Sequence, residues 1–183
     1  MGHVKPFEQE KLVVGIMYTG DDYYRIALNE ISDLFGKIDS QSEEYSFSDF
    51  SNYYDKEMRG TVMKRFVSLE KLVDPSLLPE IKTRTNKIEE VNSQKELRNI
   101  NIDPCLLGHG KFVMATTKNA SFRIPLSKGI YADISLVYAR NRWTDFFWTY
   151  PDVKSEMIKD YLSHVRDIYL EQRKTLNNVF GAL

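Results

Sequence analysis

Lys82, Asn86 and Glu89 stand at i, i+4 and i+7 in LPEIKTRTNKIEE, which puts a cation, an amide and a carboxylate on one stripe of any helix covering them. Such a stripe could border a cleft; the plainer alternative is a solvated flank with a Lys-to-Glu contact. Strand alternation supplies more candidates. In NINID, Asn99, Asn101 and Asp103 oppose Ile100 and Ile102; in GIYADISL, Tyr131, Asp133 and Ser135 oppose Ile130, Ala132, Ile134 and Leu136. If extra strands cover that polar face, Asp103, Lys118, Arg123, Tyr131 and Asp133 converge with the helical stripe. If they do not, it is the wet outer face of an antiparallel sheet.

A convergent site would offer Glu89, Asp103 and Asp133 as carboxylates for general-base or Mg²⁺ work. Lys82, Lys118 and Arg123, with Asn86, Asn101 and Tyr131, would bind a phosphate or carboxylate ligand. Structural ion pairs use the same residues. Glu57, Arg59 and Arg65 form a similar, weaker group.

The stretch DPCLLGHGKF (103–112) sets the chain's one cysteine, Cys105, four residues before His109. A thiol nucleophile needs a base within hydrogen-bond reach and a lowered pKa, and closeness in sequence supplies neither. Cys105 therefore reads as a small packing residue at a strand end. Gly108-His109-Gly110-Lys111 could present amides to an anion, but such a cradle leads into a helix, whereas FVMATTK reads as a strand. A hairpin turn using glycine's positive φ is the expectation. Histidines at 3, 109 and 164 have no zinc-ligand spacing, and no paired H-x-[ST] motif exists for two-histidine phosphoester chemistry.

These residues need elements to hold them. KLVVGIMYT (11–19) reads as a buried strand, and Tyr24, Ala27, Leu28, Ile31, Leu34 and Phe35 recur with helical spacing up to Gly36. A strand within 37–54 and another over 61–72 would be joined through Asn52 to Gly60. Asp74-Pro75 opens a second helix with Leu77, Leu78, Ile81, Ile88 and Val91 as its stripe, and RNINIDPCLL follows as a strand. Strand, helix, strand, strand, helix, strand is the ferredoxin-like βαββαβ order, with two helices on one face. KFVMATTK, SFRIPL and GIYADISLVY add an antiparallel hairpin region, with a turn at Ser127-Lys128-Gly129. A C-terminal helix is expected from about 154 to 173. The predicted fold class is α+β, in one domain over 1–183.

At 183 residues, with 42% hydrophobic and 28% charged residues, the composition is that of a soluble globular protein. Lys+Arg 25 against Asp+Glu 26 leaves no field drawing it to nucleic acid or an anionic membrane. No apolar run spans a bilayer and the N-terminus lacks a signal-peptide stretch, so a cytoplasmic protein with no membrane partner is expected.

Together YYDKEM, LPEIKTRTNKIEE, NIDP, ATTK, GIYADISL and WTYPD, in this order, resemble the bacterial family catalogued as domain of unknown function 4416, over Lys11 to Tyr169. The resemblance implies no defined activity. Some relatives carry the label GTP-binding protein, yet this chain contains no G-x-x-x-x-G-K-[ST]. Relatives often have glycine at the position of Cys105 and histidine at that of Phe122. Two expectations follow: a small enzyme or binding protein for a phosphorylated small molecule or nucleotide, or an interaction module or homodimer using Trp143, Phe146, Phe147, Trp148 and Tyr150.

Overall fold

The computed structural model describes residues 2–58, 60–93 and 98–180. The fold is mixed α+β. Strand β1 (Glu10–Tyr18), buried along its whole length, is followed by helix α1 (Asp21–Phe35), β2 (Ile38–Gln41), β3 (Tyr45–Ser46), the short α2 (Asp55–Met58) and β4 (Met63–Val73). Then come α3 (Leu78–Val91), β5 (Ile100–Leu107), β6 (Lys111–Thr116), β7 (Ile124–Pro125), β8 (Tyr131–Ala139), β9 (Arg142–Asp145) and α4 (Glu156–Phe180). The sheet runs β2-β4-β1-β5-β6-β8-β7, with β3 beside β4 and β9 beside β8. Every neighbouring pair is antiparallel.

Period-two alternation divides the sheet into two covered faces. Leu12, Val14, Ile16, Ile100 and Ile102 pack against Tyr24, Ala27 and Ile31 of α1 and Ile81 and Ile88 of α3. On the other face Val13, Phe66, Cys105, Phe112 and Leu136 meet Ile158, Leu162, Val165 and Tyr169 of α4. Two sequence expectations are corrected here. The second face is not an outer wet surface, and the added strands do not wall it off. They pair edge to edge and widen the sheet in its own plane, because their backbone groups find partners only there. The amphipathic α4 covers the face instead, fastened by polar contacts through Gln172, which accepts from the buried Lys11 (2.9 Å) and donates to the Glu70 carbonyl (2.7 Å).

Local departures from the predicted elements have physical causes. The stretch 37–54 is not one strand, because Ser42 interrupts it. Ser42 donates its N–H to the Phe66 carbonyl (2.8 Å), and its Oγ accepts the Phe66 N–H (2.9 Å), taking over the ladder with one side chain. The predicted strand over 121–126 shrinks to Ile124–Pro125, where proline cannot donate to a ladder. A fourth added strand, β9, arises from a two-residue turn in which Arg140 and Asn141 both take positive φ. The Ser127–Ile130 turn has Lys128 and Gly129 at φ 55° and 73°, the expected hairpin geometry.

The Gly108–Lys111 segment is a turn, closed by the Gly108 N–H to the Lys111 carbonyl at 3.0 Å. Neither of its glycines takes a left-handed φ, which corrects the expected reason for them. Gly108 instead leaves room for the Glu10 side chain: a Cβ there would sit 2.9 Å from Oε1 of the buried Glu10, which would have to shift. Among the described residues no helix is long and apolar enough to cross a membrane.

The packing of α4 predicts that Leu162→Ala, at a fully buried position, lowers unfolding free energy by about 2–5 kcal/mol. Urea denaturation measures it; a loss below about 1 kcal/mol would contradict the packing.

Candidate functional site

The β5–β6 ladder covers only Cys105–Leu107 against Phe112–Met114. It stops at Pro104, which has no N–H to donate. Upstream of that proline β5 stays on β1, with Ile102 opposite Ile16, while β6 follows β8 out to Thr116 opposite Tyr131. The backbone groups of Ile102 are thereby left without a strand partner on the β6 side, and α3 supplies one. The Ile102 N–H donates to Glu89 Oε1 at 2.9 Å, and Lys82 Nζ donates to the Ile102 carbonyl at 2.7 Å. Two residues of the helical stripe stand in for a missing strand.

Around this plug the charges form a chain. Lys82 Nζ lies 3.5 Å from Glu89 and 3.3 Å from Asp103. Arg98 reaches Glu89 at 2.9 Å, Glu57 at 2.6 Å and Asn101 Oδ1 at 2.9 Å, and Asn101 Nδ2 donates to Asp103 Oδ2 at 2.8 Å. Lys82 and Glu89 are almost wholly buried, so each needs the other; an unpaired charge there would be strongly unfavourable.

Where the two strands part, a cleft of about 290 Å³ opens. Buried Met17, Phe47 and Met114 make its apolar floor, and half-buried Tyr54 and Tyr150 stand with exposed Lys118 at its mouth. Lys64, only 2% exposed, also lines it and is anchored to Asp152 at 2.7 Å behind the wall, where Tyr45 donates to the same carboxylate oxygen at 2.8 Å.

The predicted stripe and strand residues Lys82, Asn86, Glu89, Asn101, Asp103 and Lys118 all line this cleft. Three others do not. Asp133 is fully buried and takes Arg123 Nε at 3.0 Å; Arg123 in turn braces the cleft from outside, donating to the Lys118 carbonyl (2.8 Å) and the Tyr150 hydroxyl (3.1 Å). Tyr131 sits opposite Thr116 in the β6–β8 ladder and does not itself line the cleft. The weaker group around Glu57 does not assemble: Glu57 pairs with Arg98, whereas Arg65 points to the α1 face, over the Tyr24 ring and beside Glu44 at 3.5 Å. Arg59 lies outside the described residues.

Glu89, Asp103 and Asp133 each face a cation rather than one another, and among the described residues no three His, Cys, Asp or Glu side chains gather as a metal site. Sequence reasoning missed Arg98, Lys64 and Tyr54, and it put Tyr150 in an aromatic interaction surface rather than at this cleft. Arg98 directly precedes NINID, and Lys64 alternates with Phe66 and Ser68, so pattern signals existed; their partners are far away in the chain.

Burial raises the Glu89 pKa above the ordinary carboxylate value, with Lys82 opposing that rise. Burial, reinforced by Asp103, also raises the Tyr54 and Tyr150 phenols, which remain protonated donors at neutral pH. The buried Cys105 thiol is pushed well above its ordinary value by desolvation, and it contacts the Asp103 carbonyl at 3.4 Å rather than a base. It is a packing residue.

Two outcomes follow from this geometry. Cys105 should react with an alkylating reagent at pH 8 at least about 100-fold slower in the folded protein than in urea, because a desolvated thiol supplies little thiolate; mass spectrometry reads the rates, and equal rates would refute its burial. Lys82→Met should lower stability by about 3–5 kcal/mol, the range for breaking a buried pair, whereas Lys87→Met, at an exposed position on the same helix, should change it by less than about 0.5 kcal/mol.

No curated protein and no solved structure matches the chain. A family model does match, over residues 8–169, so the chain belongs to the family described as Domain of unknown function (DUF4416).

Proposed function

We propose that the cleft between α3 and the parted strands β5 and β6 binds a phosphorylated small molecule or nucleotide. The observation that carries this reading is the state of its cations. Lys64, Lys82 and Arg98 each hold a carboxylate, while Lys118, alone among the cleft-lining cations, has no carboxylate partner among the described residues. Lys118 leans instead over the rings of Tyr53 (4.6 Å) and Tyr54 (5.6 Å). An anionic group placed there meets a cation that no acid has already neutralised. Lys64, whose one hydrogen bond goes to Asp152, keeps spare donors toward the floor.

In an enzyme of this kind Asp103 would be the general base. Both Glu89 oxygens are occupied by Ile102 and Arg98, and Asp133 is buried against Arg123, whereas the Asp103 side chain keeps some exposure to the cleft. We further read β1, α1, β2, β4, α3 and β5 as a ferredoxin-like module, supported by the strand order β2-β4-β1-β5. A cytoplasmic location without nucleic-acid or membrane partners completes the reading, supported by the near balance of charge.

One observation favours the second reading, a protein–protein surface or homodimer. Phe122 and Phe146 stack on opposite sides of Trp148, at 4.9 and 4.6 Å, and Phe147 beside them is 84% exposed. Trp143 is buried and belongs to the core.

A thermal-shift screen with nucleotides, phosphorylated metabolites and inorganic phosphate tests the cleft. A binding compound should raise the melting temperature, and Lys118→Ala should weaken it about tenfold, or about 1.4 kcal/mol, without changing unliganded stability. Absence of any shift across the panel, together with dimerisation that Phe147→Ser abolishes in sedimentation, would favour the second reading.

A further inference from the structure

We propose that the ligand is a monocyclic sugar phosphate, with its ring hydroxyls on Asp103 and Asn86 and its phosphate at Lys118. The inference rests on the reading of the cleft as a phosphate site and identifies what accompanies the phosphate.

The groups that remain available in the cleft are mostly neutral. Asn86 makes no side-chain hydrogen bond to any described residue, although it sits between Lys82 and Glu89 on the stripe facing the opening. Thr117 lines the same space, and the Tyr54 hydroxyl has no partner among the described residues. Asp103 is held by one donor on each oxygen, Lys82 at 3.3 Å and Asn101 at 2.8 Å. A carboxylate oxygen has two acceptor directions, so each keeps one for a ligand. Two parallel acceptors on a rigidly held carboxylate match two neighbouring hydroxyls, and an amide beside them can both donate and accept. Lys118 as the cation without an acid, the spare acceptors of Asp103, an amide and hydroxyls, with the exposed Glu90 also lining the space, call for a ligand with a single anionic group and several hydroxyls. Met17, Phe47 and Met114 offer the C–H face of such a ring an apolar floor.

A nucleobase is less well served. It is gripped by stacking on an open aromatic face, and the rings near the cleft stand at angles to one another: Tyr53 and Tyr54 at 83°, Phe47 and Tyr54 at 57°. The parallel rings of Phe122, Trp148 and Phe146 already stack on each other and do not line the cleft. At about 290 Å³ the space lies just under the usual range for ligand sites, which begins near about 300 Å³, and suits one ring.

Calorimetric titration of the full chain with ribose 5-phosphate, glucose 6-phosphate, AMP, GMP and inorganic phosphate decides the point. The expected result is that one of the sugar phosphates binds at least tenfold tighter than inorganic phosphate and than either nucleotide. Asn86→Ala and Asp103→Asn should weaken that sugar phosphate about tenfold and leave inorganic phosphate unchanged, whereas Lys118→Ala weakens both. Asn86→Ala removes an uncommitted side chain, so it keeps the test valid if Asp103→Asn fails to fold. Nucleotides or inorganic phosphate binding as tightly as both sugar phosphates would overturn this inference and leave the phosphate reading standing. Binding of none of the five would overturn both.

Discussion

The peptide groups of Ile102 govern this architecture. A strand in the middle of a sheet must satisfy donors and acceptors on both edges, and β5 loses its β6 neighbour at Pro104. Leaving a buried amide and carbonyl unpaired would cost several kcal/mol. Glu89 and Lys82 resolve this by entering the plane of the sheet and bonding Ile102 directly. The solution carries its own requirement, since two buried charges must neutralise each other and be hydrogen-bonded throughout. Asp103, Asn101, Arg98 and Glu57 meet it as a connected chain. The cleft is the space left where a strand pair is replaced by side chains, and its polarity is inherited from the groups that replace it.

The same economy recurs at the other edge of the added region. Between β7 and β9 the backbone of β8 lacks a strand partner, and Trp148 Nε1 donates to the Ile134 carbonyl (3.1 Å) while Thr149 Oγ1 donates to that of Ser135 (2.6 Å). Trp148 is thus fixed in orientation by a backbone bond, which holds the stacked rings beside it in place. Behind the cleft, α4 and the segment leading into it complete the second core, with the Lys64–Asp152–Tyr45 cluster sealed under them.

Much of the site was legible because it obeys local periodicities. The i, i+4, i+7 stripe of α3 and the alternation of NINID are properties of single elements, and both survive folding. What was not legible depends on which elements meet. The apolar stripe of α4 announces a buried face without saying which sheet face it covers, so the polar side of the strands could be read as wet. Lys64 shares a face with Phe66 and Ser68, but its partner Asp152 lies 88 residues away. Ser42 breaks a strand through a side chain that copies a backbone ladder, and Gly108 leaves room for the Glu10 carboxylate rather than serving a left-handed φ; neither cause is visible in local pattern. Family membership adds no chemistry to these residues.

Chemical-shift mapping locates binding residue by residue in the intact protein. Titrating ¹⁵N-labelled protein with ribose 5-phosphate and, separately, glucose 6-phosphate should in at least one case move the backbone amides of Asn86, Asn101, Asp103 and Thr116 to Lys118, and the Ile102 amide held by Glu89, while those of α4's outer surface and the Phe146–Trp148 segment stay fixed. Shifts confined to that aromatic segment, or none with either sugar phosphate at saturation, would contradict a ligand site at the parting of β5 and β6.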